Sequence, residues 1–218
     1  MAKKKNITED DLVTNYMDYI LTNGKNPDSV FSFSKQYNFK EEDYYKFYGN
    51  FSALEQSIFK IFYDKTVFLL EKNNEYRNYS PRDKMLSFYY SFFELLTANR
   101  SYVVHSIGSQ TKNLKKIDTL KRLKKSFCDY VDKLDISIVE TNQETLDKIQ
   151  NKTLRESAWF QLVLTIKYWL EDTSSSFERT DIFIEKAVNT SFDLMDTTPL
   201  RSILDLGKFI YKDKLFRN

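Results

Sequence analysis

Apolar positions in this chain recur at spacings of three and four residues, the period of a helix. Leu12, Tyr16, Tyr19 and Ile20 mark the first such run, over residues 8–23. Thr8 with Asp11 three residues on is a variant of the capping box. The early acids suit the positive end of a helix dipole, and Gly24 is placed to stop the helix. A second, short helix starts at Pro27-Asp28-Ser29 and runs to about Tyr37, with Val30, Phe33 and Ser34 facing inward. Asn38 can take the left-handed conformation that a tight interhelical turn needs. A third short helix is predicted from about Glu41 to Tyr48, ended by Gly49-Asn50, and a long apolar fourth from about Ser52 to Asn73.

Past the polar stretch NNEYRNYSPRD, Ser80-Pro81 reads as an N-cap with proline at the first helical position. The helix it opens runs to Ala98 and is apolar on most sides, which places it centrally in a bundle. Residues 99–108 form another short helix. Lys112 to Leu134 repeats Leu114, Ile117, Leu120, Leu123, Phe127 and Val131 at helical spacing. Thr141-Asn142-Gln143-Glu144 matches a capping box and opens a long helix to about Asp172. Thr180 or Asp181 opens the next, to about Met195, and Pro199 starts a last amphipathic helix. The pattern thus predicts an all-α fold of about ten helices, with no strand.

Composition agrees with this reading. Among 218 residues there are 4 glycines and 3 prolines, too few for the many tight turns of a sheet-rich fold. A single cysteine rules out an internal disulfide and makes a reducing, cytoplasmic setting the expectation. No apolar h-region follows Met-Ala-Lys-Lys-Lys, so no signal peptide is expected. No run reaches the roughly 18–20 apolar residues needed to span a bilayer. With one histidine, one cysteine and no glycine-rich phosphate loop, the sequence offers no metal site, no cofactor and no catalytic residue. It is read as a non-enzyme.

Three short helices, the last two joined by a tight turn, then a long connecting helix: this layout resembles the TetR-type transcriptional regulators. The likeness covers about residues 8–60. Ser29-Val30-Phe31-Ser32-Phe33-Ser34 resembles that family's Thr/Ser followed by apolar-x-x-Ile-Ala. Tyr37-Asn38-Phe39-Lys40 stands where the family has Ala-Gly-Val-Ser, and Tyr44-Tyr45-Lys46-Phe47-Tyr48 where it has Leu-Tyr-x-Tyr-Phe. The resemblance implies a helix-turn-helix head over 1–60 and a larger ligand-binding and dimerisation region over 61–218. It also implies that Tyr45 and Lys46 meet phosphate, with Ser29 and Lys40 at the starts of the two helices of the motif. Tyr44 belongs either to this contact set or to the core of the head.

Charge opposes the DNA reading. Over residues 1–60 eight lysines face nine acids, a net of −1 without an arginine. Glu41, Glu42 and Asp43 stand where a reading helix approaches base edges. One carboxylate can accept from cytosine N4, but three conflict with the field of a duplex. As a favourable helix N-terminus, the same triplet is ordinary.

For the larger region the resemblance implies a pocket for a small apolar ligand or lipid. Phe92, Tyr102, Trp159 and Tyr168 are candidate lining residues, each more readily read as plain core, and His105 is a candidate polar anchor. The family also implies a homodimer built on the last long helices, with Trp159, Val163, Ile166, Ile184, Val188 and Phe192 in core or interface. Trp169-Leu170-Glu171-Asp172-Thr173-Ser174 followed by Thr180-Asp181-Ile182-Phe183 resembles a TetR-like branch that includes a lipid-binding accessory protein of ubiquinone biosynthesis. Residues 112–125 carry a net +6. The basic amphipathic tail from Pro199 suits a membrane surface as well as its own domain. Two readings therefore stand: a homodimeric regulator of double-stranded DNA, and a lipid- or ligand-binding module that keeps the head only as structure.

Overall fold

The computed structural model describes residues 7–108, 118–134, 136 and 144–196; for 144–147, 149 and 196 the backbone alone is described. Among these residues there are nine α-helices and no strand, so the all-α expectation holds. They are α1 (Glu9–Asn23), α2 (Val30–Gln36), α3 (Glu41–Tyr44), α4 (Phe51–Glu71), α5 (Pro81–Ala98), α6 (Arg100–Ile107), α7 (Lys121–Lys133), α8 (Glu144–Glu171) and α9 (Glu178–Asp196). The Thr141 cap of α8 and the tail helix from Pro199 lie outside the described residues, as does the first part of the run from Lys112.

Local rules set most boundaries. Thr8 and Asp11 exchange side-chain and backbone hydrogen bonds in a full capping box, and Gly24 ends α1 at φ 66°, where a Cβ would be strained. Ser80 Oγ accepts from Asp83 N at 3.2 Å ahead of the Pro81 start. Two boundaries differ from expectation. α3 stops at Tyr44 rather than Tyr48, because Phe47 N and Tyr48 N both donate to Tyr44 O at 3.0 Å and close a tightened turn. That turn carries Tyr44 and Tyr48 together into the core. α9 starts at Glu178 rather than at Thr180 or Asp181, for a reason that lies in the preceding loop and is described below.

By packing, the chain forms two compact units: residues 1–66 with 92–126, and residues 67–91 with 127–218. In the first, Phe33 is the hub of the head. Its ring meets Tyr16, Tyr19, Phe39, Tyr44 and Phe51 edge-on at centroid distances of 5.6–6.5 Å. Phe59, Phe62, Tyr102 and Val103 continue the core of that unit. In the second, Phe88 packs on Phe127 at 5.3 Å and on Tyr130 at 5.0 Å. The Tyr130 hydroxyl shares a 2.7 Å hydrogen bond with Tyr76. Trp169, Leu162, Ile166, Ile184 and Val188 fill the space between α8 and α9.

Candidate functional site: the head and the apolar cavity

The head is built around one turn. Ser29 caps α2, accepting from Ser32 N at 3.1 Å. Asn38 takes φ 55°, and Phe39 N donates to Ser34 O at 3.0 Å, which reverses the chain between α2 and α3. Asn tolerates this left-handed position better than any other non-glycine residue type apart from Asp. The turn leaves Ser29, Lys40, Tyr45 and Lys46 exposed, while Tyr44 is fully buried and Tyr48 nearly so. Tyr44 therefore sits in the core of the head. Phe47 and Phe31 stay largely exposed, at 41% and 60%.

The two lysines do not stand alone. Lys40 Nζ pairs with Glu42 at 3.0 Å and Lys46 Nζ with Asp43 at 2.6 Å. The hydrogen bond from Lys46 holds the Asp43 carboxyl below its ordinary pKa. Surface pairs of this kind contribute little and exchange readily for another anion. Tyr45 OH reaches toward Glu41 at 3.5 Å.

The second unit holds a cavity of about 330 Å³. Its walls come from α5 (Met85, Tyr89), α7 (Val131), Ile136, α8 (Leu154, Ala158, Gln161) and α9 (Val188, Phe192, Met195). The lining is mainly apolar. Its polar groups include Gln161, whose Oε1 accepts from Ser191 Oγ at 2.7 Å, and the Ser157 and Thr153 hydroxyls. The volume lies at the low end of small-molecule sites, and about 150 Å³ is enough for benzene. Burial raises the pKa of the Tyr89 hydroxyl above its ordinary value.

The candidate ligand residues do not meet there. Trp159 is buried and Tyr168 half-exposed in the second unit, neither on the cavity wall, and Tyr168 stacks on Phe183 at 4.5 Å. Phe92 is buried in the first unit, where Tyr102 and His105 line a separate polar cavity. Sequence reasoning did not single out Leu154, Ala158 or Gln161. Their spacing of three and four on α8 was the available signal, and it is the signal of any buried helix face.

The Trp-x-x-Asp-x-Ser…Thr stretch forms the α8–α9 corner. Asp172 Oδ1 accepts from Ser174 N (2.8 Å) and Oγ (2.7 Å), and its Oδ2 from Thr180 N (3.0 Å) and Oγ1 (2.7 Å). Asp172 thus serves as the cap of α9 from the end of the previous helix, so Thr180 is already inside α9. Trp169, fully buried, covers the corner against Phe177 at 6.0 Å. Burial pushes the Asp172 carboxyl up, but the hydrogen bonds from Thr180 and Ser174 outweigh it and hold the pKa at about 2. A folded pKa below the ordinary value near 4 means that the carboxylate's stabilisation is complete above about pH 4 and is lost as pH falls through about 2. Asp172→Asn, with an amide where an acceptor is needed, is expected to destabilise this unit by about 2 kcal/mol at neutral pH. An acid titration followed by tryptophan fluorescence checks this. The wild-type protein should lose stability between pH 4 and 2, and the variant should lack that step.

On the outer side of the same helices, Phe160, Leu164 and Tyr168 of α8 are 46%, 42% and 37% exposed. Beside them on α9 are Phe183, Ala187 and Ser191, and a shallow groove runs between the two rows. Trp159, Val163, Ile166 and Ile184 are instead core, and Val188 and Phe192 are on the cavity wall.

The geometry defines an all-α protein with three short N-terminal helices in one compact unit and an apolar cavity in a second helical unit. Comparison supplies the family: residues 84–210 match the family model described as tetracyclin repressor-like, C-terminal domain. The match spans more than half the chain, and the chain belongs to that family. The matched segment does not include the head. No curated protein matches this sequence.

Proposed function

We propose that this chain is a homodimeric, sequence-specific DNA-binding regulator, and that a small apolar ligand in the cavity of the second unit modulates it. The observation that carries the reading is the intact helix-turn-helix turn, which leaves Ser29, Lys40, Tyr45 and Lys46 open to solvent around one short helix. Family membership supports it, since this family is regulatory rather than enzymatic. Among the described residues of the first unit, 11 basic side chains face 12 acidic ones, so charge does not decide between the readings. The solvent-facing rows of α8 and α9 are the surface on which two copies would pair. Among the described residues no helix is long and apolar enough to cross a membrane.

Fluorescence anisotropy tests the reading, with a duplex from the protein's own upstream region beside a scrambled one across a salt series. Tighter binding to the first duplex is expected, steeply weakened by salt. Tyr45→Ala with Lys46→Ala should weaken binding to all sequences and lower the salt slope by about 1.

One observation favours the second reading, a lipid- or small-molecule-binding module related to the ubiquinone-biosynthesis branch. Both lysines of the head are paired with acids of the Glu41-Glu42-Asp43 triplet. Equal, weak binding to both duplexes, with a lipid found by mass spectrometry of the purified protein, would favour this module. The proposed membrane contact of the tail helix then becomes testable by liposome flotation.

A further inference from the structure

The first unit contains a cavity that neither reading uses. It is about 220 Å³, and polar groups dominate its wall. Ile20 at the end of α1, Asn26 in the α1–α2 loop, Glu55 on α4, Tyr102, His105 and Ser106 on α6, and Thr119 line it, and it is partly open to solvent. Glu55 Oε1 accepts from Tyr16 OH at 2.5 Å and from Asn26 Nδ2 at 3.2 Å. Both donors are neutral, and no basic side chain among the described residues pairs with this carboxylate. Across the cavity Tyr102 is 1% exposed, and its buried hydroxyl has no hydrogen-bond partner. A buried polar atom left unmade costs free energy that a bound group can recover.

We propose that this cavity binds a small organic ammonium ion, with Glu55 as its counter-ion and the Tyr102 hydroxyl as a second acceptor. The charge favours a cation, because Glu55 is the one carboxylate on the wall and has no ion-pair partner among the described residues, with His105 the other titratable group facing the cavity. A divalent metal is a poor fit, since such ions collect several oxygen ligands, often more than one of them a carboxylate. Among the described residues there is no group of three or more His, Cys, Asp and Glu side chains able to hold a metal. The volume also exceeds a bare ion: it equals roughly seven waters at about 30 Å³ each. A primary ammonium has three N–H donors, enough for Glu55, Tyr102 and one of the Ser106 or Thr119 hydroxyls. The remaining space takes a chain of two or three carbons with a polar end. Such a ligand would tie α1 and α4 to α6 within the first unit, whether or not the head binds DNA.

The test is calorimetric titration of the full chain with 2-hydroxyethylammonium at constant ionic strength, beside ethylene glycol as the neutral control. Saturable binding of the ammonium and none of the glycol is expected. Glu55→Gln should weaken it by about tenfold or more, the loss of one charge-assisted contact. Tyr102→Phe, which leaves the Tyr16–Glu55–Asn26 network intact, should weaken it several-fold and serves as the reading if the first variant does not fold. Absence of saturable binding up to about 100 mM, far weaker than a typical site, would overturn the proposal. So would unchanged affinity in the folded variants, or equal binding of the glycol.

Discussion

Phe33→Ala should lower the stability of the three-helix head by about 3–5 kcal/mol. The ring is fully buried and packs edge-on against five other aromatic rings drawn from α1, the turn, α3 and α4. Edge-to-face pairs add about 0.5–1.5 kcal/mol each beyond area burial, and truncation removes all of them at one site. The short α2 and α3 cannot persist without that packing, since isolated helices below about 12 residues are marginal in water. Because the chain has two compact units, a single global transition is not assumed. Amide hydrogen exchange of α1 to α3 reads the head directly. Protection there should fall by roughly two to three and a half orders of magnitude, the equivalent of those energies at about 1.4 kcal/mol per decade, while α8 and α9 keep theirs. Unchanged protection of the head would show that Phe33 is not the hub the packing makes it.

If two copies pair through the α8–α9 face as proposed, Leu164→Glu combined with Ala187→Glu should leave the protein monomeric. Leu164 is 42% exposed on α8 and Ala187 borders the same groove on α9, so both substitutions are solvent-facing in one copy. In a twofold interface each carboxylate would be desolvated and would face its own copy, a cost of several kcal/mol per ion. Size-exclusion chromatography with light scattering measures the outcome, and circular dichroism establishes that the helices persist. On the regulator reading, duplex affinity should fall with it by about 10²–10⁴, the avidity of two linked heads. A folded variant that remains dimeric would move the interface away from the α8–α9 face.

Much of the fold was legible because short-range rules decide it. The capping box at Thr8 and Asp11, the stop at Gly24, the left-handed Asn38 and the Ser80-Pro81 start all act over four residues or fewer, and each is in place. Where a partner comes from farther away, the sequence pattern misled. The YYKFY aromatics suit a helix to Tyr48, yet the chain turns after Tyr44 to bury both tyrosines. Thr180 has the chemistry of an N-cap, but Asp172, eight residues earlier, takes that role and claims its hydroxyl. The apolar spacing on α8 fits two neighbouring faces, and only packing tells the Trp159–Val163–Ile166 core row from the Phe160–Leu164–Tyr168 outer row.

The sequence by itself determined an all-helical chain and three N-terminal helices with their turn, whereas the family match falls on residues 84–210, outside the stretch that carried the resemblance. Helical period, capping chemistry and turn residues act locally, so they can be read without coordinates. Tertiary structure alone decided which side chains share a compact unit. Phe92 and Tyr102, read from the sequence as lining one pocket with Trp159 and Tyr168, belong instead to the unit that contains the head. It also decided that Tyr102 and His105 face a polar cavity with Glu55, apart from the apolar one between α5, α7, α8 and α9. Cavities and compact units depend on residues far apart in the chain, and no local rule sums over them.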